Sequence, residues 1–257
     1  MIVARTVADA RVALADRRDG TIGLVPTMGS LHAGHLALLE TARRECDTVV
    51  MSLFVNPAQF GEPSDLNGYP RDEARDLERA RDAGVDVVFV PATDELYPPG
   101  YQTWVDVIEL GSMLEGEHRP GHVRGVATVC LKLFTIVRPD VAYLGQKDAQ
   151  QVEVLRRMVA DLHLELELSV VPTVRDTDGL ALSSRNMRLS TDERARALAL
   201  PRALATRDPE TARAILDAAG LDVEYVAVAP FHPPVLAAAV RAGNTRLIDN
   251  VTLEEKP

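Results

Sequence analysis

Two histidines, His32 and His35, stand three residues apart directly after a glycine-containing turn. Residues 21–26 form a short apolar run that predicts a buried strand, and residues 34–43 carry the apolar spacing of a helix. Side chains three apart lie on one face of a helix, so both imidazoles would line its first turn. Because N–H groups at a helix start attract anions, the stretch predicts a site for nucleotide phosphates.

Two simpler interpretations of this histidine pair stay open from its residues alone. One or both histidines could only cap the helix by hydrogen bonding. A His-x-x-His pair can also bind a metal ion, although no third Cys, His or carboxylate follows at a usual ligand spacing. The later polar segments of the chain therefore decide how the pair is interpreted.

Two later segments repeat the pattern of polar donors at a helix start. Residues 140–145 predict a strand that ends on glycine, and Lys147 follows where its ammonium could neutralise a phosphate. Ser183, Ser184 and Arg185 place two hydroxyls and a guanidinium before another helix. Taken singly, Lys147 could be a solvated lysine, and the Ser-Ser-Arg segment could be a serine cap beside a solvated arginine.

Strands and helices that could position these residues alternate along the chain. Apolar runs predict strands at 21–26, 47–55, 85–91 and 140–145, and helical spacing predicts helices at 6–18, 34–43, 71–83, 123–137 and 146–162. This order is typical of an α/β protein with a doubly wound parallel sheet, in which ligands bind beyond the carboxyl ends of the strands. The turn at 27–35 and the loop at 56–59 both fall at those ends.

The rest of the chain is less regular. Residues 103–107 alternate like a short edge strand, and residues 114–125 predict a surface loop leading into a helix, with a flexible connector as the alternative. Farther on, the pattern predicts strands at 165–171, 223–229 and 245–251 and helices at 191–205 and 209–219.

Composition excludes several classes of function. The 257 residues are 46% hydrophobic and carry a net charge of −10 without a basic run, so a nucleic-acid surface is not expected. No apolar run reaches the roughly 18 residues of a membrane-spanning helix, and the N-terminus does not resemble a secretory signal. Cys46 and Cys130 lie in apolar contexts and are expected to be reduced, buried thiols of a cytoplasmic protein.

Five motifs, at 26–35, 54–60, 69–71, 145–151 and 178–186, closely resemble in order and spacing those of the pantothenate synthetase (pantoate-beta-alanine ligase) family. The resemblance runs from about residue 5 to Asn250, and the wider relatives are the His-x-Gly-His nucleotidyltransferases. It implies a Rossmann-like domain over 1–173 that binds nucleotide and pantoate, and a smaller α+β lid domain over 174–257 that carries the Ser-Ser-Arg loop. Because residues 191–257 look shorter than usual for the family, we expect a trimmed lid.

The resemblance implies a two-step ligation in the biosynthesis of pantothenate and coenzyme A. The carboxylate of (R)-pantoate attacks the α-phosphorus of ATP to give pantoyl adenylate and pyrophosphate, and the amine of β-alanine then displaces AMP. A carboxylate is already a nucleophile near neutral pH, so no Ser or Cys nucleophile is required. Mg²⁺ and a homodimer are also implied. The alternatives are another adenylyl- or cytidylyltransferase and a nucleotide-binding regulatory module without catalysis.

The resemblance also assigns roles by position. The residues implied to be catalytic are His32, His35, Lys147 and Arg185, with His35 in the place of a proton donor. The residues implied to bind pantoate or β-alanine are Gln59 and Gln151. The residues implied to contact ATP are Met28, Gly29, Ser30, Leu31, His32, Ala33, Gly34, His35, Gly145, Gln146, Lys147, Asp148, Val174, Leu182, Ser183, Ser184 and Arg185.

The match departs from the usual family pattern at three of these positions. Gln146 stands where Glu is usual, Leu182 where Met is usual and Ala33 where Glu is common, and none of these changes removes a phosphate donor. No protein ligand is assigned to Mg²⁺. Asp76 on the charged helix is a candidate, and a carboxylate on a solvated face is the alternative.

Overall fold

The computed structural model describes residues 1–61 and 63–254, and the chain divides into two compact units. Unit 1 contains Met1–Leu31, His35–Leu144 and Val154–Val171. Unit 2 contains His32–Gly34, Gly145–Glu153 and Pro172–Pro257. Two short segments from the predicted phosphate site are therefore grouped with the C-terminal part of the chain.

Unit 1 is built on a six-stranded sheet. Its strands are β1 (Ile2–Ala4), β2 (Ile22–Thr27), β3 (Thr48–Leu53), β4 (Val87–Phe89), β5 (Val141–Gly145) and β6 (Glu167–Val171), and their order in the sheet is β1-β4-β3-β2-β5-β6. The pairs β1–β4, β4–β3, β3–β2 and β2–β5 are parallel. The predicted doubly wound parallel sheet of the Rossmann-like type is confirmed.

Helices alternate with these strands, as the sequence predicts. They are α1 (Val7–Leu14), α2 (Ala33–Glu45), α3 (Pro63–Asn67), α4 (Glu73–Asp82), α5 (Thr93–Leu96), α6 (Glu115–His118), α7 (His122–Val137) and α8 (Ala149–Asp161). Short 3₁₀ turns occupy Ala15–Arg17, Pro57–Gln59 and Gln146–Asp148. No helix among the described residues is long and apolar enough to span a membrane.

The central strands are apolar along their whole length because both faces of the sheet are covered. Every residue of β3 is buried, and Val25, Val49 and Met51 are fully inaccessible within one core cluster. Burying such a side chain contributes about 1.5–3 kcal/mol. Because β2 and β3 are parallel and in register up to Thr27 and Leu53, the loops that follow them leave the same edge of the sheet.

Unit 2 contains a three-stranded antiparallel sheet in the order β7-β8-β9. Its strands are β7 (Asp222–Ala229), β8 (Val235–Ala242) and β9 (Thr245–Thr252), and its helices are α9 (Thr191–Ala197), α10 (Ala199–Leu204) and α11 (Pro209–Ala218). Leu200, Leu216, Leu236 and Val240 belong to the core cluster of this unit and are almost completely buried. The smaller α+β C-terminal domain is therefore confirmed.

Two strands were not predicted from the sequence. β8 contains four alanines in eight residues, and alanine is depleted in strands, so its local pattern does not indicate a strand. β8 forms because it pairs with β7 on one side and β9 on the other. β1 has only three residues and is defined by its pairing with β4.

Two predictions for the middle of the chain are wrong. Residues 103–107 are not a strand among the described elements; the Val105 N–H donates instead to the Thr128 hydroxyl oxygen at 3.0 Å. Residues 114–125 are not simply a surface loop, because they contain α6 and the first turn of α7. Glu115 in this stretch is only 6% exposed, which polar composition alone does not reveal.

Candidate active site

The turn that precedes α2 depends on the glycine at its centre. Gly29 has φ +83°, and the next residue, Ser30, has φ +53°. A Cβ at position 29 would lie 2.6 Å from Leu53 Cδ1 and 2.7 Å from Asp76 Oδ2. Only glycine combines this backbone conformation with such close neighbours.

Asp76 holds this turn and does not lie on a solvated face, contrary to the alternative considered for it. The side chain is 3% exposed, and its two oxygens accept the Ser30 and Leu31 N–H groups, each at 2.8 Å. Arg79, one turn farther along α4, donates to the Leu31 carbonyl. Helix α4 therefore fixes the entry to the histidine segment, and Mg²⁺ binding by Asp76 would compete with two existing hydrogen bonds.

His32 acts as a cap for the start of α2. The Gly34 N–H donates to His32 Nδ1 at 3.1 Å, so in the neutral ring the hydrogen is on Nε2. A Cβ at position 34 would lie 2.9 Å from His32 Cε1, so the glycine between the two histidines allows this cap. The cap interpretation is thus correct for Nδ1 of His32.

These contacts change the expected source of the phosphate donors. The backbone N–H groups of Ser30, Leu31 and Gly34 already donate to acceptors in the protein. In the structure these three N–H groups are therefore not free, and whether they contact an anion stays a prediction. This favours side chains as phosphate donors, and partly buried His35 lies in the first turn of α2.

Gln59 lies in unit 1, in the 3₁₀ turn after β3. Its Oε1 accepts from Asn56 Nδ2 at 3.0 Å, and its Nε2 donates to the sulfur of Met28 at 3.2 Å. Asn56 is 1% exposed and also donates to the Gly125 carbonyl at 3.1 Å. The structure therefore brings together Gln59 and Met28, two of the residues assigned to the site.

The contact between α7 and the Gln59 turn leaves no room for a side chain at Gly125. A Cβ there would overlap the Ala58 carbonyl oxygen and lie 2.7 Å from the Gln59 nitrogen, and both are backbone atoms. We expect Gly125→Ala to lower the free energy of unfolding by about 1–3 kcal/mol, as overpacking does, and to raise the KM for the substrate that Gln59 binds, which the family resemblance implies is pantoate. Denaturant unfolding and initial-rate kinetics measure both effects.

Gly61→Ala is the matched control for this substitution, because a Cβ at Gly61 meets no atom of the described residues within 4 Å. It should leave both the stability and the KM close to those of the unsubstituted protein. If the two alanine variants have the same free energy of unfolding and the same KM, the close contact between Gly125 and the Gln59 turn is contradicted.

Lys147 lies in unit 2, in the 3₁₀ turn between β5 and α8, and its side chain is 19% exposed. Asn250 of β9 fixes this turn: its Nδ2 donates to the Gln146 and Lys147 carbonyls, each at 2.9 Å, and its Oδ1 accepts from Gln146 Nε2 at 3.0 Å. Lys147 Nζ also lies 3.3 Å from Asp148 Oδ1. Asn250 therefore sets the backbone position of the lysine.

Asn250→Asp is expected to lower kcat by about tenfold, because a misaligned Lys147 would stabilise the transition state by roughly 1.4 kcal/mol less. The carboxylate would face two carbonyl oxygens to which it cannot donate. Steady-state kinetics measure the change. Asn244→Asp, in the exposed turn between β8 and β9, is the control and should keep the original kcat; a similar kcat for both variants would contradict the role of Asn250.

The Ser-Ser-Arg segment also lies in unit 2. Ser183 Oγ accepts the Arg185 N–H at 3.3 Å and caps the 3₁₀ turn Ser184–Arg188. Just before it, the Leu182 N–H donates to the Val174 carbonyl at 3.0 Å, so these two assigned ATP contacts are adjacent. The serine-cap interpretation therefore describes Ser183, and Ser184 and Arg185 are partly buried.

The remaining assigned residues fall into the same two groups. Gln151 is partly buried near the start of α8 and is grouped with Lys147 in unit 2, whereas Gln59 and His35 belong to unit 1. Neither cysteine resembles a nucleophile: both thiols are free and buried, and burial raises the pKa of Cys130 to about 12. Among residues 1–61 and 63–254, no group of three or more His, Cys, Asp or Glu side chains could hold a metal ion.

Sequence reasoning missed three residues whose side chains hydrogen-bond the backbone of the turns that carry the assigned site residues. Asp76 was considered only as a metal ligand or a solvated carboxylate, and Asn250 only as part of the last predicted strand, 245–251. His122, described below, was part of a predicted loop. Their partners lie 46, 104 and 63 residues away along the chain. No local spacing signal reveals such contacts.

The fold and the polar loops define the class first: a doubly wound α/β protein with its polar side chains beyond the carboxyl ends of parallel strands. A family model described as Pantoate-beta-alanine ligase matches residues 2–252. The chain belongs to the pantoate-beta-alanine ligase family.

Relatives of known name are similar to this protein over nearly the full length of the chain. It is 50% identical to "Pantothenate synthetase" of Chloroflexus aurantiacus, covering 99% of each chain. The crystal structure of pantothenate synthetase from Thermus thermophilus superposes with a TM-score of 0.93 at 44% identity, covering 98% of this chain and 99% of that one. Pantoate-beta-alanine ligase from Francisella tularensis, complexed with beta-gamma ATP and beta-alanine, superposes with a TM-score of 0.90 at 34% identity, covering 98% and 97%.

These comparisons also bear on the expected trimming of the C-terminal domain. The alignment with the Chloroflexus protein runs over 281 positions, whereas this chain has 257 residues, so the alignment includes positions that this chain lacks. The chain nevertheless covers 99% of that relative. A three-stranded sheet and three helices are present after residue 190.

Proposed function

We propose that this protein condenses (R)-pantoate with β-alanine to form pantothenate, consuming ATP and releasing AMP and pyrophosphate. The observation that carries this proposal is the match to the family over residues 2–252, which includes His32, His35, Gln59, Lys147, Gln151 and the Ser-Ser-Arg segment. The related ligase from Francisella tularensis, whose structure is complexed with beta-gamma ATP and beta-alanine, supports the choice of substrates.

In the first step, a carboxylate oxygen of pantoate forms a bond to the α-phosphorus of ATP, and the bond to the pyrophosphate oxygen breaks. Negative charge grows on the leaving pyrophosphate, so fixed cationic and N–H donors lower the barrier. We assign Lys147 to the α-phosphate, and His32 and His35 to the triphosphate, with His35 as proton donor. Ser183, Ser184 and Arg185 hold the β- and γ-phosphates.

In the second step, the amine of β-alanine attacks the acyl carbon of pantoyl adenylate, and AMP leaves with the former carboxylate oxygen. The amine loses a proton as the amide forms. Because the acyl group is already activated, the protein needs to orient the amine and exclude water. The high pKa of buried Cys130 agrees with a mechanism that uses no thiolate.

The two glutamines suit pantoate because an amide both donates and accepts hydrogen bonds. Pantoate offers hydroxyl groups and a carboxylate, which need both kinds of partner. In the structure, Gln59 Nε2 donates to the Met28 sulfur, a weak acceptor, so a ligand oxygen could replace that contact at little cost. We assign Gln59 and Gln151 to the pantoate hydroxyls and carboxylate, Asp148 to the ribose side of the nucleotide, and Val174 to the adenine.

Mg²⁺ is proposed as the partner of the ATP phosphates. The described residues offer no cluster of three metal-binding side chains, and both oxygens of Asp76 already accept N–H groups. Protein side chains therefore do not fit a dedicated metal cage. Mg²⁺ commonly keeps several waters and binds through substrate phosphates, which suits this site.

We also propose a homodimer and a cytoplasmic location. The dimer is supported by the family resemblance, and sedimentation velocity would measure it directly. The location is supported by two free, buried cysteines, which are typical of reducing compartments.

The proposed reaction is tested by ATP–pyrophosphate exchange in the absence of β-alanine. We expect exchange only when pantoate is present, and release of AMP with pantothenate when β-alanine is added. Exchange that ignores pantoate would favour another adenylyltransferase. ATP binding without exchange for any carboxylic acid would favour a regulatory module.

A further inference from the structure

A chain of charged and polar side chains connects the corner between α6 and α7 to the Gln59 turn. Buried Glu115 pairs with Arg119 at 3.4 Å, and Arg119 NH1 lies 3.0 Å from His122 Nε2. His122 Nδ1 lies 2.9 Å from the Gln59 carbonyl oxygen, and Arg119 NH2 donates to the same oxygen at 3.4 Å. All four residues belong to unit 1.

The partners of His122 determine its tautomer. A carbonyl oxygen can only accept, so Nδ1 must carry the hydrogen that points at Gln59. A guanidinium can only donate, so Nε2 must present its lone pair to Arg119. The Glu115 carboxylate in turn orients the guanidinium. Each group therefore fixes the orientation of the next. The last hydrogen bond of this network is the one to the backbone carbonyl of Gln59.

Besides the contacts of Asn56 and Gly125, the Gln59 turn has two long backbone hydrogen bonds of its own. The Gln59 N–H donates to the Asn56 carbonyl at 3.4 Å, and the Phe60 N–H donates to the Pro57 carbonyl at 3.2 Å. A shift of the Gln59 carbonyl rotates the residue and moves its side-chain amide. We therefore expect the position of that amide to depend on the donor at Nδ1 of His122 as well as on its own bond with Asn56 Nδ2.

We propose that His122, oriented by Arg119 and Glu115, is a positioning residue that sets the affinity for pantoate by fixing Gln59. The inference rests on the proposed function, because it takes Gln59 as a pantoate contact. His122 itself acts through the Gln59 backbone.

Three variants of His122 separate this role from a general structural one. Asn places an amide donor near the position of Nδ1, Gln places an acceptor near the position of Nε2, and Ala supplies neither. We expect His122→Ala to raise the KM for pantoate about tenfold, the size of one lost hydrogen bond that aligns the site, and to leave the KM for ATP within about twofold. His122→Asn should bring the KM for pantoate most of the way back to the original value, and His122→Gln should lower it little.

Arg124→Ala is the matched control, because Arg124 lies in the same turn of α7 and pairs on the surface with Asp106. It should change neither KM. A double variant provides a second test: on a Gln59→Ala background, His122→Ala should cause little further loss, since both changes act through one contact. Circular dichroism establishes that each variant is folded.

The outcomes distinguish this inference from the proposed function. If the unsubstituted protein shows no pantoate-dependent exchange, the proposed function is wrong. If it is active, the inference is contradicted when His122→Ala leaves the pantoate KM unchanged or raises the two KM values equally. It is also contradicted when His122→Asn is as impaired as His122→Ala, or when the losses add fully in the double variant.

Discussion

Replacing Lys147 by alanine is expected to lower kcat by about 10²-fold or more, on the order of losing one charged donor in the transition state. The side chain is 19% exposed, so water screens its charge only in part. Charge on the phosphates grows during bond cleavage, so the loss should fall on kcat more than on the KM for ATP. Initial rates at varied ATP concentrations measure both constants.

Two comparison variants sharpen the Lys147 experiment. Lys147→Arg keeps a positive charge but changes its geometry, so its kcat should lie between those of alanine and the original lysine. Arg157→Ala removes an exposed cation from α8 that pairs with Asp161 on the surface, and it should have little effect. If Lys147→Ala keeps a kcat close to the original value, Lys147 does not stabilise the transition state.

The second large effect is expected at His35, where alanine should also lower kcat by about 10²-fold, the size of one transition-state donor. Since the N–H groups of Ser30, Leu31 and Gly34 already donate within the protein, imidazole donors matter more at this turn. His35→Gln keeps an N–H donor but cannot transfer a proton at neutral pH. If His35 is a proton donor, glutamine should recover only a small part of the rate.

The control for His35 is His163→Asn, at an exposed position with φ +51° that asparagine tolerates. Its kcat should match that of the unsubstituted protein. Full activity of His35→Gln would show that hydrogen bonding is sufficient. Full activity of His35→Ala would contradict any role for His35 in the transfer of the adenylyl group.

The sequence predicts the parallel sheet well because the relevant signals are local. β2, β3 and β5 are short apolar runs closed by turns, and α2 and α7 show helical spacing. β8 escapes prediction because its alanines favour no strand, and only its neighbours β7 and β9 make it one.

The site is less accessible to sequence reasoning than the fold. The histidines, Lys147 and the Ser-Ser-Arg segment stand in short motifs, and their types suggest phosphate chemistry. Asp76, Asn250 and His122 act through partners far away along the chain, and each has an ordinary local context. A buried carboxylate inside a charged helix, such as Asp76, becomes recognisable only when the fold brings its N–H partners to it.

The central claim is that the carboxylate of pantoate attacks the α-phosphorus of ATP. Pantoate labelled with ¹⁸O in both carboxylate oxygens tests it directly, with ATP and β-alanine as the other substrates and mass spectrometry of the products. If pantoyl adenylate forms, one ¹⁸O atom must appear in AMP and the other in the amide carbonyl of pantothenate. Label in inorganic phosphate, or AMP without label, would contradict it.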